Sequence, residues 1–130
     1  MTILEKAREF FAADLFATKL AGITIDEADE NHAVCSFNVT GDHKNADGVV
    51  MGGALYTLAD LCFAVAANAC GVRTVTLDAS VRYLAPASGE KVTATARCIR
   101  SGKSVCTYEV LVDDGIRDVV HAVFTGFRKG

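Results

Sequence analysis

Asp60 is the only charged residue between Gly48 and Val72. A carboxylate on a helix that is apolar on nearly every face needs a partner, a shifted pKa or a functional cavity. It can serve as nucleophile or general base, or be held structurally by local hydrogen bonds or an interface partner. Gly52-Gly53, at the start of the same segment, offers a second kind of chemistry. The first turn of a helix presents unpaired N–H groups at the positive end of the helix dipole, and glycine lets a carbonyl oxygen reach them. A tight loop-to-helix turn would call for the same pair. Gly52 and Asp60 are eight positions apart, about 12 Å along a helix. Groups acting on one carbonyl carbon must come within about 3 Å of it, so one helix cannot supply both. Two antiparallel helices across a two-fold axis can, with Gly52 of one chain facing Asp60 of the other.

The elements around these residues read as one α+β domain spanning residues 1–130, a long antiparallel sheet wrapped around a single central helix. Ile3, Leu4, Ala7, Phe10, Phe11 and Leu15 recur at helical spacing and predict an opening helix over 3–16. Two short strands follow, Ile23–Asp29 and Ala33–Thr40, with Glu30-Asn31 as the turn between them. A polar loop from Gly41 to Met51 leads into the central helix, Gly52 to Cys70, which Gly71 ends. Four strands remain: Arg73–Ala85, Lys91–Arg100, Val105–Asp113 and Arg117–Arg128. In the first of them Val75, Leu77, Ala79, Val81 and Tyr83 alternate with polar residues, which predicts one buried and one polar face. The turns at 86–90, 101–104 and 113–115 are short and predict that these four strands are antiparallel neighbours.

Hydrophobic residues make up 51% of the 130, only 22% are charged, and mean hydropathy is +0.27. A domain this small cannot easily bury so much apolar surface alone, which predicts a homo-oligomer with apolar interfaces. The net charge is −3 and Lys and Arg cluster only at Arg128-Lys129, which argues against a nucleic-acid partner. Asp60 in the middle of the apolar stretch argues against a membrane span. Five cysteines without a CxxC pair fit neither a metal site nor a disulfide framework. With no signal peptide in sight, they point to a reducing cytoplasm.

The stretch from Asn45 to Asp60, Asn-Ala-Asp-Gly-Val-Val-Met-Gly-Gly-Ala-Leu-Tyr-Thr-Leu-Ala-Asp, resembles the signature of hotdog-fold acyl-CoA thioesterases, in particular their phenylacetic-acid-degradation (PaaI-like) branch. Val81-Arg82-Tyr83-Leu84-Ala85-Pro86 resembles that family's strand end. The resemblance implies that Asp60 is the catalytic carboxylate, that the Gly52 N–H polarises the thioester carbonyl and that Asn45 orders the site, the groups pairing across a dimer. It assigns Met51, Gly53, Tyr56 and Thr57 to the substrate's surroundings, the Ser101-Gly102-Lys103 turn to the coenzyme A nucleotide and Arg82 to a phosphate. Core packing explains Tyr56, Phe63 and Met51 equally well. No cofactor or metal is implied, since coenzyme A enters as part of an acyl-CoA substrate. The dimer is the minimal active unit, and relatives of this branch are often tetramers.

Met51 stands where the family pattern has His, and a thioether can neither donate a hydrogen bond nor shuttle a proton. His43 either stands in for that imidazole or, as the favoured reading, is an exposed loop residue like His32. His121, between Val119 and Val123 on a strand face, reads as structural. The alternative to hydrolysis is an acyl-CoA binding or sensing protein on the same fold. A hotdog hydratase would need a His paired with an acid, and no His occupies a matching site.

Overall fold

Thr2 accepts the Glu5 N–H at 3.0 Å and donates its own N–H to the Glu5 carboxylate at 2.9 Å, a capping box that starts helix α1 (Ile3–Phe11). The computed structural model of the protein describes residues 1–69, 71 and 73–129. α1 buries Ala7 and Phe11 over strand β1 (Thr24–Asp29), and Arg8 Nε donates to the Ile25 carbonyl at 2.9 Å. The helix predicted through residue 16 stops at Phe11, and Phe16–Leu20 forms a separate π-helical turn. Phe10 and Leu15 fit the apolar spacing but remain exposed, so spacing overstated the length that packs. Strand β2 (His32–Asn38) returns from β1 through Asn31, whose φ of 63° is the left-handed conformation that asparagine tolerates. The buried Tyr108 hydroxyl fixes this turn by donating to Asn31 Oδ1 at 2.6 Å.

Helix α2 (Gly52–Asn68) crosses the concave face of the sheet, packing chiefly on β2 and β4 (Lys91–Ser101) and then on β5 (Val105–Asp113). Leu58, Cys62, Phe63 and Val65 lie at most 1% exposed at the centre of the core. Cys70, the predicted end of the helix, lies outside the described residues; Gly71 has φ +89° and its N–H bonds the Asn68 carbonyl. With β3 (Thr74–Tyr83) and β6 (Asp118–Arg128) the sheet is six-stranded and antiparallel, in the order β1-β2-β4-β5-β6-β3. Register irregularities in β1, β3 and β4 leave Asp26, Leu77 and Ile99 without a partner, bulges of the kind that bend a sheet.

The topology departs from the prediction at one point. β3 is not a neighbour of β4; it pairs with β6 at the sheet's outer edge, while β4 lies between β2 and β5. The short connection does not turn back but crosses the end of the sheet. There the Leu84 N–H bonds the Val119 carbonyl, Ala87 is buried, and the Ser88 N–H bonds Asp114 in the β5–β6 turn at 2.9 Å.

Asp114 is 2% exposed and accepts from Ser88 on one carboxylate oxygen and from the Ile116 and Arg117 N–H groups on the other. These bonds, the Ser88 N–H foremost, hold its carboxyl well below the usual carboxylate range. A carboxyl with a depressed folded pKa stabilises fully above its unfolded value of about 3.9 and loses that contribution as pH falls through the folded value. Asp114→Ala should therefore cost about 2–3 kcal/mol at pH 7. In urea titrations the difference from wild type should shrink as pH drops below about 4.

Two surfaces expected to be buried are open in the single chain. Gly53, Thr57, Asp60, Ala64 and Asn68 form a stripe along α2 at helical spacing, all of it half-buried or exposed. The bulge at Leu77 divides the single apolar face predicted for β3: Val75 pairs with the exposed Phe127, whereas Ala79 and Val81 pair with the core residues Phe124 and Ala122, and Val75, Leu77 and Tyr83 are left exposed. No described helix is long and apolar enough to cross a membrane.

Candidate active site

The loop before α2 is held by its own polar residues. Thr40 caps a 3₁₀ turn (Gly41–His43), and the His43 ring stacks on Phe37 with centroids 4.1 Å apart. His43 Nδ1 accepts the Thr40 N–H at 3.0 Å, so Nε2 carries the proton and donates to the Ala21 carbonyl at 2.7 Å. At 7% exposure His43 is neither the exposed residue expected nor a free imidazole; it pins the loop to the end of the π-helical turn. Asn45 Oδ1 accepts from the Asp47 and Val49 N–H groups at 3.0 and 3.1 Å, and Gly48 turns the chain at φ +78°. Asn45 orders the loop through its oxygen, while its side-chain NH₂ forms no hydrogen bond among the described residues and is exposed.

The Met51 N–H bonds the His43 carbonyl at 2.8 Å, which sets the angle at which α2 begins. Met51 is the N-cap and supplies no side-chain acceptor, so the Gly52 and Gly53 N–H groups have no partner among the described residues. Tyr83 donates its hydroxyl to the Gly52 carbonyl at 3.2 Å. A Cβ on Gly52 would lie 3.3 Å from the Tyr83 ring, so close packing is one reason for glycine here. A Cβ on Gly53 would lie 3.7 Å from the terminal methyl of Met51, a half-exposed side chain reaching over the first turn.

Asp60 lies two turns further on, half-buried, with no hydrogen bond or ion pair among the described residues. Burial, and secondarily the like charge of Asp14, hold its carboxyl above the usual range. Tyr56, one turn before it, packs tilted against Phe124 at 6.0 Å, and burial followed by the Asp60 charge raises its phenol pKa. Thr57 spends its hydroxyl on the Gly53 carbonyl at 2.8 Å. Phe63 stacks on Phe124 at 4.9 Å and is core, not pocket.

The remaining candidates divide between the two ends of the helix. Arg82 is exposed on β3 beside Tyr83, at the Gly52 end, paired in register with His121. The Ser101-Gly102-Lys103 turn lies at the opposite end, where Arg128 pairs with Thr74. Arg128 braces that turn by donating to the Gly102 carbonyl and to Ser101 Oγ. In one chain the turn therefore lies at the opposite end of the sheet from Gly52. His121 and Arg97 hold Glu109 at 2.8 and 2.7 Å on the outer face, so His121 is structural as expected. His32 opens β2, half-buried, rather than lying in a loop. Cys35, Cys62 and Cys106 are buried free thiols, Cys98 is half-buried, and no group of described residues could hold a metal ion.

An antiparallel sheet curled around one helix, with free N–H groups at the helix start and an unpaired carboxylate on the helix's open face, is the arrangement of a hotdog domain. The thioesterase superfamily model matches residues 47–120, and the chain belongs to that family as a PaaI-like acyl-CoA thioesterase. It is 34% identical over 109 residues to the acyl-coenzyme A thioesterase PaaI of Escherichia coli, covering 83% of this chain and 77% of that protein. The structure of the E. coli PaaI protein superposes with a TM-score of 0.86 at 29% identity, over 99% of this chain and 97% of that one. A hypothetical thioesterase protein of Streptococcus pneumoniae, solved with coenzyme A, gives 0.85 at 26% identity over 95% and 97%. Structures of that streptococcal protein also exist with alanine replacing an aspartate and, sixteen residues further along, a threonine.

Proposed function

We propose that the protein hydrolyses aryl- or medium-chain acyl-CoA thioesters at sites built by two copies of the chain. The observation that carries this reading is the unpaired, half-buried Asp60 on the open face of the same helix whose first turn offers the free N–H groups of Gly52 and Gly53. The thioester oxygen accepts from the Gly52 N–H of one chain, and the helix dipole favours the negative charge that develops there. Asp60 of the partner attacks the carbonyl carbon directly, giving an anhydride that water opens, or removes a proton from a water that attacks. In both routes the C–S bond breaks, the thiolate of coenzyme A leaves and takes up a proton, and water supplies the oxygen of the free acid. No cofactor takes part.

The first half of the open stripe on α2, Gly53 to Asp60, and the exposed Leu77 and Tyr83 of edge strand β3 are the surfaces we assign to the dimer, with a tetramer as the larger assembly. Free, largely buried cysteines fit a cytoplasmic location. The same sixteen-residue spacing separates Asp60 from Thr76, an exposed residue of β3, and on that likeness Thr76 is added to the walls of the site. Arg82, Ser101, Gly102 and Lys103 are assigned to the coenzyme A moiety, and Asn45, Met51, Gly53, Tyr56 and Thr57 to the walls of the site. The test is coenzyme A release from a panel of arylacyl- and alkanoyl-CoA thioesters, and turnover of at least one is expected. Met51, which replaces the family's histidine and overlies Gly53, favours the second reading, in which acyl-CoA is bound without being cleaved. Saturable binding of acyl-CoA with no turnover of any thioester would decide for it.

A further inference from the structure

A cavity of about 700 Å³ lies between α1, the end of α2 and the first residues of β3. That volume is in the range of small-molecule sites. Phe10, Phe11, Ala64 and Val75 supply apolar walls, with the two rings meeting edge to face at 5.0 Å. Ala64 is one helical turn beyond Asp60 on the same face. Asn68 lies one turn further, so the cavity extends to about 12 Å from Asp60.

Its polar groups are not equivalent. Asn68 is spent: its amide donates to the Ala64 carbonyl at 2.7 Å and its oxygen accepts the Thr74 N–H at 2.8 Å. Lys6 and Arg73 also line the cavity, both exposed, and neither forms an ion pair among the described residues. An uncharged tail filling the cavity would cover part of these cations' hydration and return nothing to them. A tail ending in a carboxylate would give both a charge-assisted partner.

We propose that this cavity holds the acyl part of the substrate and that Lys6 and Arg73 bind a carboxylate at its far end, making the preferred substrate the coenzyme A monothioester of a medium-length dicarboxylic acid. The inference rests on Asp60 being the carboxylate that faces the thioester.

The test compares octanoyl-CoA with suberyl-CoA, equal in chain length and differing in the terminal carboxylate. Dissociation constants are measured by calorimetry on the Asp60→Asn protein, which keeps the thioester intact, and kcat/KM on the wild type. Suberyl-CoA should be preferred by about threefold to fivefold in both, the worth of a carboxylate contact to solvent-exposed cations. In a Lys6→Gln/Arg73→Gln double variant that preference should fall to near one. Equal affinity for the two thioesters, or a preference that survives the double substitution, would overturn the proposal. Tight, carboxylate-dependent binding without turnover by the wild type would sustain the cavity assignment and refute hydrolysis.

Discussion

Asp60→Asn should lower kcat for thioester hydrolysis by about a thousandfold or more while leaving the fold intact. The substitution keeps the shape of the side chain and removes the charge that attacks the carbonyl or takes the water's proton. Its effect on stability has the opposite sign. Burial holds the Asp60 carboxyl above its ordinary value, so the folded protein binds this proton more tightly than the unfolded chain. Stability from this group is therefore greatest at low pH and falls as pH rises through the folded pKa. Above that value the ionised carboxylate is a burden that asparagine lifts, and the variant's melting temperature should equal or exceed that of wild type. Activity runs the other way, since only the ionised form reacts, so kcat/KM should climb as Asp60 titrates and then level. Full turnover by a folded Asp60→Asn protein would remove Asp60 from the chemistry. A large loss of melting temperature at neutral pH would show the carboxylate to be structural.

Gly52→Val should be nearly as damaging for a different reason. Its Cβ would arrive 3.3 Å from the Tyr83 ring, and the branched methyls would stand over the free N–H groups of the first turn. Removing one donor from an oxyanion site costs about 10²–10³ in kcat, and that is the loss expected. Gly52→Ala should cost less, because the exposed Tyr83 ring can move by the few tenths of an ångström required. Circular dichroism and denaturation beside the kinetics separate a blocked site from an unfolded one. Near-normal kcat in Gly52→Val would mean that the carbonyl docks elsewhere.

Much of this arrangement is legible in the chain. The single charge in an apolar helix singles out Asp60, the Gly-Gly start marks the helix N-terminus, and helix rise alone shows that the two cannot meet within one copy. Period-two alternation locates all six strands to within about three residues. What patterning cannot show is whether an apolar face is covered. Val75, Leu77, Phe10 and Leu15 fit the periodicity as well as any core residue, yet remain exposed in the single chain. Strand order was hidden for a related reason. A short, Pro-containing connection suggests a hairpin, but the crossing from β3 to β4 is fixed by Ser88 reaching Asp114, 26 residues away. The burial of His43 is not legible in the sequence because its partners, Phe37 and Ala21, come from elements that sequence places elsewhere. The cavity beside α1 was invisible, because Lys6 and Arg73 are 67 positions apart and only the fold brings them to one space.

The measurement that bears most directly on a site shared by two chains is complementation between the two inactive proteins. Asp60→Asn and Gly52→Val chains are mixed, unfolded and refolded together, and hetero-oligomers are verified by native mass spectrometry. In a mixed dimer one site joins an intact Gly52 to an intact Asp60 and the other carries both lesions. With equal amounts and random pairing, half the dimers are mixed and each has one working site, so about one quarter of wild-type activity should return. Verified hetero-oligomers that stay as inactive as either parent would contradict a two-chain site.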